Sequence, residues 1–312
     1  MGRLPKRVPI SRIQCSTSEE FLDRCGKSGA FRKPFVLVGM TNHWKAIGEW
    51  TFEQFAKRYG ERRYRAFVEL PEDGVPHRWL AADYLRMMTM RDFLDLMERS
   101  QKPSYLSQIP LDQFPGLSDD VDFRAVAPPD AHATYTALWI GSANTNSGLH
   151  FDKLDNYFVQ VYGRKVALVA SPDQTRLLYP YRYNFAKSQV DPENPDVKSF
   201  PGLENVTFME AVLEPGDMLF LPKLWWHYLR SLEPSISINH FFGSFAALGD
   251  LARVLNAGGI AHWFTFLRDF VWYGAMGRPF ATRLLSEQPT GKQAWLLLTG
   301  ALSRRGLGAQ RM

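Results

Sequence analysis

Between residues 131 and 245 the apolar runs are short and are cut at close intervals by Gly, Pro, Asn and Asp, and this pattern limits the fold more than any other. Thr136–Ile140, Tyr157–Tyr162, Lys165–Ala170, Asp217–Leu221 and Ser235–Asn239 each have strand length. Turn signals stand among them at Gly163, Ser171-Pro172-Asp173 and Glu214-Pro215-Gly216-Asp217. Closely spaced short strands of this kind predict a sandwich or barrel rather than βαβ units.

The flanks read differently. Residues 1–130 mix helical and strand patterns. Lys33–Val38 reads as a strand that stops at Gly39, and Thr51 is placed to cap a helix opening at Phe52. Met90 to Glu98 sets Phe93, Leu94 and Met97 at helical spacing, a stripe suited to core packing, while Arg62-Arg63-Tyr64-Arg65 reads as a solvated face. In residues 246–312, Leu251, Val254, Leu255, Ile260, Trp263, Phe264, Leu267, Phe270 and Val271 recur at helical spacing. That face is wider and more aromatic than a solvated helix needs, so it packs on the barrel or on a second subunit. Trp263 and Trp272 are expected in the core. We therefore expect three parts: an N-terminal α/β elaboration at 1–130, a barrel at 131–245 and a helical segment at 246–312.

At 45% hydrophobic and 22% charged, the 312 residues have a globular profile and exclude a disordered, collagen-like or disulfide-stapled chain. Cys15 and Cys25 are the only cysteines, without a C-x-x-C pair, so a thiolate zinc site is excluded and reduced thiols in a cytoplasmic protein are expected. The start has basic residues with no apolar stretch behind them, so no signal peptide is expected, and no apolar run reaches membrane-spanning length.

The chemistry lies among the histidines. His150 stands in Gly148-Leu149-His150-Phe151-Asp152. On a strand, residues two apart share a face, so His150 and Asp152 can reach one point while Phe151 points away. His227, in Trp225-Trp226-His227, offers a third ligand from another strand context. Two imidazoles and one carboxylate form the facial triad of non-haem Fe(II) oxygenases, and three protein ligands leave positions open for a bidentate cosubstrate and for O2. Lys165 opens a barrel strand. A buried ammonium needs an anionic partner, and the distal carboxylate of 2-oxoglutarate is a suitable one. Tyr105 and Ser147 can add hydroxyl donors to it. Asn156 and Asn239 sit on barrel strands where an amide should find a partner.

On these residues the stretch Leu138–Phe242 resembles the JmjC or cupin-like Fe(II)- and 2-oxoglutarate-dependent oxygenases. It is similar in particular to the branch of small protein hydroxylases that includes the asparaginyl hydroxylase acting on hypoxia-inducible factor. The shared pieces are Leu138-Trp139-Ile140-Gly141, Gly148–Asp152, Asn156–Lys165, Asp191-Pro192-Glu193-Asn194-Pro195-Asp196, Leu213–Pro222 and Trp225-Trp226-His227. The resemblance implies a mainly β fold, a double-stranded β-helix (jelly-roll or cupin core) with an N-terminal α/β elaboration and C-terminal helices. It implies His150, Asp152 and His227 as iron ligands and Lys165, Ser147 and Tyr105 as the 2-oxoglutarate pocket, with Ser147 where the branch often has Thr. It implies Asn156 and Asn239 on the iron and oxygen side, and a homodimer through the C-terminal helices. The implied reaction is hydroxylation of a side chain in a protein or peptide, with succinate and CO2 as co-products.

Other substrates compete with that reading: a free amino acid or other small molecule, a tRNA base, a methylated lysine. A cupin-like binding protein without activity is a further alternative, against which the intact triad and Lys165 weigh. Residues Tyr179–Phe200, rich in Tyr, Asn and Pro, are expected at the substrate lip. The net charge of +5 is not spread evenly. Residues 130–249 carry 9 basic and 12 acidic side chains, whereas residues 250–312 carry 8 basic and 3 acidic, among them Arg304, Arg305 and Arg311. A slightly acidic barrel disfavours nucleic acid as the substrate.

Overall fold

The computed structural model describes residues 3–25, 30–71, 81–126, 135–182, 184–243, 248–280 and 289–299. The strands in its first part are β1 (Lys6–Pro9), β2 (Arg12–Gln14), β3 (Phe35–Val38), β4 (Arg63–Phe67), β5 (Leu85–Thr89) and β6 (Tyr105–Pro110). Those that follow are β7 (Tyr135–Gly141), β8 (Asp155–Tyr162), β9 (Lys165–Ala170), β10 (Thr207–Leu213), β11 (Met218–Leu221), β12 (Trp226–Ser231) and β13 (Ser235–Phe242). The helices are α1 (Ser18–Cys25), α2 (Ala46–Glu49), α3 (Phe52–Tyr59), α4 (Ala81–Tyr84), α5 (Met90–Arg99), α6 (Leu248–Gly258), α7 (Ile260–Asp269) and α8 (Thr290–Leu298).

The expected strands form, with ends moved for local reasons. β3 starts at Phe35 because Pro34 has no N–H to give a ladder. β11 starts at Met218 because the Asp217 N–H closes the preceding turn onto the Glu214 carbonyl at 2.9 Å. β13 runs on to Phe242 between β7 and β8. Thr51 caps α3 by accepting from the Gln54 N–H, a contact of about 1 kcal/mol. Gly163, at φ 68°, makes the β8–β9 turn, and a Cβ there would meet the Pro234 carbonyl at 2.3 Å.

Two sheets result, in the orders β1-β10-β9-β12 and β2-β3-β11-β8-β13-β7-β6-β4-β5. They face one another across a shared core in which Val36, Phe158, Leu219 and Leu221 meet Ala167, Val169 and Leu213. The fold is therefore mainly β, a double-stranded β-helix with an N-terminal α/β elaboration and C-terminal helices. Residues 6–14 stitch the two sheets at one edge, since β1 pairs parallel with β10 and β2 pairs parallel with β3. Helices α3 and α5 cover the outer face of the larger sheet through Phe55, Phe93 and Met97. In β4, Arg63 and Arg65 are exposed as expected, but Tyr64, read with them as part of a solvated face, is buried and stacks on Phe114, because alternation along the strand turns it to the core. Leu168, Trp226 and Tyr228 on the outer face of the smaller sheet pack against Leu251, Val254, Leu255 and Phe266 of α6 and α7.

The C-terminal apolar face divides. Leu251, Val254 and Leu255 are buried, but Ile260, Phe264, Leu267 and Val271 are 71, 69, 50 and 47% exposed. Trp272 is not in the core either: it is 44% exposed, with the Arg278 guanidinium 4.8 Å from its ring centre. Arg304, Arg305 and Arg311 lie outside the described residues. No helix among the described residues is long and apolar enough to cross a membrane.

Candidate metal centre

Side-chain alternation fixes what faces the barrel interior. In β9, Ala167 and Val169 point inward and Leu168 and Ala170 outward, so Lys165 points inward. In β12 the outward Trp226 and Tyr228 leave His227 inward. In β8 the inward set is Asn156, Phe158 and Gln160, since Tyr157, Val159 and Val161 join the other core.

His150 and Asp152 are not on a regular strand. His150 is a single-residue bridge, paired with His227 on one side and Lys187 on the other. The His150 N–H donates to the His227 carbonyl at 3.0 Å and the His227 N–H returns to the His150 carbonyl at 2.7 Å. Leu224 donates to the Asp152 carbonyl at 2.8 Å from a left-handed backbone, φ 69°, an unfavourable setting for leucine that cross-links the two ligand-bearing segments.

The ligand atoms of His150, Asp152 and His227 all lie within 4.8 Å of one another. His150 Nδ1 is 2.9 Å from the Gly148 carbonyl and His227 Nδ1 is 3.0 Å from the Trp225 carbonyl. A carbonyl only accepts, so each Nδ1 carries its proton and donates it, and each Nε2 lone pair is free to face the centre. His227 Nε2 is 3.4 Å from Asp152 Oδ2, so the two ligand atoms point at one centre. Burial, with His227 alongside, pushes His150 down to about 4, which keeps it a neutral ligand. Burial pulls the Asp152 carboxyl up, but its contact with His227, with His150 and Lys187 close by, outweighs this and holds Asp152 below the usual carboxylate range. The donor set fits a divalent transition metal.

A cavity of about 60 Å³ opens onto the triad and is lined also by Tyr105, Ser147 and Asn239. Lys165 lies behind it, 1% exposed, with Nζ 3.4 Å from the Tyr105 hydroxyl, which in turn bonds Ser147. No carboxylate pairs with Lys165 among the described residues. Burial alone pushes it down to about 7. Gly141 makes room for this arrangement, because a Cβ there would meet the Tyr105 ring at 2.7 Å. The expectation of amide partners fails: both amide atoms of Asn156 and Oδ1 of Asn239 have none among the described residues, and neither have Gln160 Oε1 and Ser237 Oγ. Their reason is position, on strands whose inward faces meet polar ligand space. A buried cation and unpaired buried amides fit a small polar anion. Asn156 faces this interior without lining the cavity. A larger cleft of about 400 Å³ around Trp50, Glu53 and Arg58 holds none of these residues.

Gln108, Trp139 and Phe241 line the cavity too and escaped the sequence reading. Alternation in β7 and β13 could have found the last two. Gln108 could not be found so, because it sits at φ 57° in a bulge of β6 that breaks the period. The segment around Ala186, in the stretch expected at the substrate lip, is held to the site through Phe151, whose N–H donates to the Ala186 carbonyl at 3.0 Å.

Residues 28–247 match the family model described as "Cupin-like domain". Among curated proteins the chain is similar to "Lysine-specific demethylase 8" of Xenopus tropicalis, 31% identical over 77% of this chain and 54% of that protein. It is similar to "Jumonji C domain-containing protein 5" of Drosophila melanogaster, 28% identical over 78% of this chain and 62% of that protein. It is also similar to "HSPB1-associated protein 1 homolog" of Danio rerio, 28% identical over 72% of this chain and 55% of that protein. The alignments thus span little more than half the length of these relatives.

Proposed function

The chain belongs to the cupin-like domain family, and from that premise we propose that it is an Fe(II)- and 2-oxoglutarate-dependent oxygenase that hydroxylates a side chain of a protein or peptide. The observation that carries the reading is the convergence of His150, Asp152 and His227, with both Nδ1 protons tied back, beside a buried Lys165 that has no carboxylate partner among the described residues. His150, Asp152 and His227 hold the metal, and bound there Fe(II) supplies oxygen activation with 2-oxoglutarate as the electron source. Lys165, Tyr105 and Ser147 bind and orient the distal carboxylate of 2-oxoglutarate, a charge match that water cannot screen at this depth. Asn239 and Asn156 offer amides on the metal side, and Trp139, Phe158 and Phe241 exclude water.

The relatives' names favour a second reading, removal of a methyl group from lysine. Both begin with oxygen insertion at a C–H bond and differ in what carries it. The test is Fe(II)- and 2-oxoglutarate-dependent succinate release, followed by mass spectrometry on a peptide pool and a metabolite pool in parallel. A stable gain of one oxygen supports hydroxylation. Loss of a methyl with formaldehyde release supports demethylation. No succinate, and no absorption band from anaerobic metal and 2-oxoglutarate, removes both. The reading treats 131–245 as the catalytic barrel, 1–130 and 246–312 as its flanking parts, and a reducing cytoplasm as the setting of the free thiols Cys15 and Cys25.

A further inference from the structure

His150 is the middle of three antiparallel strips. β12 lies on one side, through His227, and the segment around Lys187 lies on the other. Beyond the Phe151 contact, Ser188 donates to the Leu149 carbonyl at 2.9 Å. A strip one bridge wide cannot hold its own place, so His150 depends on both neighbours.

One side-chain pair ties all three strips together. Glu193, in Asp191-Pro192-Glu193-Asn194, receives both Nε–H and Nη2–H of Arg230, the second at 2.8 Å. The two side chains are 17 and 25% exposed. Arg230 lies on β12, three residues after His227. Its Nη1 donates to Asn144 Oδ1 at 3.1 Å, and its backbone bridges Asn146. Asn146 Oδ1 in turn accepts from the Gly148 N–H at 2.9 Å, and Gly148 supplies the carbonyl that orients the His150 ring. Asp191 Oδ1 accepts from the Glu193 N–H at 2.9 Å, which presents the carboxylate to Arg230.

We propose that the Arg230–Glu193 pair is a positioning device for the metal ligand His150, clamping the segment before it, the strand beside it and the lip beyond it into one register. Planar bidentate pairing supplies direction as well as charge, which a lysine cannot reproduce. The proposal rests on the reading of His150, Asp152 and His227 as a metal site.

Co(II), titrated into the chain and followed by its d–d absorption, tests it. Wild type binds; Arg230→Lys and Glu193→Gln each bind about 10–100-fold more weakly with an altered band shape, while their far-ultraviolet circular dichroism is unchanged. The double variant is no weaker than either single one, because both remove the same contact. Arg253→Gln is the control. It breaks an ion pair with Asp173, at 2.9 Å, that joins α6 to the barrel without touching the three strips, and it leaves Co(II) affinity unchanged. Variants that bind within about twofold of wild type overturn the positioning role and leave the metal site standing. An equal loss in Arg253→Gln overturns it as general destabilisation. Failure of wild type to bind Co(II) overturns the metal site, and the positioning role with it.

Discussion

His150 and His227 exchange both backbone hydrogen bonds, at 3.0 and 2.7 Å, so the two imidazoles are fixed to each other by main chain before any ligand enters. Their rings stand 4.3 Å apart at 54°, with Asp152 completing the triangle.

A preformed set of this kind loses the metal when one member is removed, with little effect on the fold. Asp152→Ala should weaken Co(II) binding by more than about 100-fold and abolish succinate release, since the loss of a ligand exceeds the loss of an outer partner. Thermal unfolding of the metal-free variant should shift by only a few degrees, because Asp152 is partly exposed. Retained metal binding would show that Asp152 is not a ligand.

Lys165 falls from an ordinary 10.5 to about 7 because of burial. Between those values the unfolded chain holds a proton that the folded chain lacks, so stability rises with pH across that window. The penalty, roughly 5 kcal/mol, is complete below the folded value and gone above the unfolded one. Lys165→Met should flatten this slope in urea titrations of the metal-free chain. It should also raise the 2-oxoglutarate requirement sharply while Co(II) still binds. An unchanged requirement would remove Lys165 from the pocket.

His240 lies 4.3 Å from Phe123 in a stacked arrangement, and burial pushes it from 6.5 down to about 4. As pH falls through that interval the unfolded chain takes up a proton first, so stability is lost, by about 3 kcal/mol at the acid end. His240→Phe should therefore unfold less readily in acid than wild type, relative to neutral pH. An identical acid slope would place the titrating group elsewhere.

Ile260, Phe264, Leu267 and Val271 repeat at helical spacing and stay exposed, an unusual apolar stripe for a free surface. The expected homodimer through the C-terminal helices would cover it. Wild type should sediment as a dimer and Phe264→Glu as a monomer, with Co(II) binding intact. A monomeric wild type would exclude this contact.

Much of the site was legible because its ligands are chemically unusual for a barrel interior. His150, Asp152, His227 and Lys165 are costly to bury, and their spacing with the strand period points to a common centre. The period argument, made for His150 and Asp152, fails in form there, because the two converge through a bridge and a strained Leu224 instead of a pleat. No local pattern encodes Gln108, whose orientation comes from a bulge, or Glu193, whose role appears only with Arg230 across 37 residues. The C-terminal stripe showed apolar spacing but not which half of the face would be covered, since that depends on how α6 and α7 lie on the smaller sheet.

The edge stitch made by residues 6–14 bears on the order in which the chain is made. β1 leaves the ribosome well before its partner β10, which begins at Thr207, and the carboxylate that receives Arg12 belongs to Asp217. At a synthesis rate of about 5–20 residues per second, β1 waits on the order of ten seconds or more for its mate, its edge unpaired meanwhile. Lys6, Arg7 and Arg12 in this stretch keep such an edge charged during the wait, as edge strands exposed to other chains require.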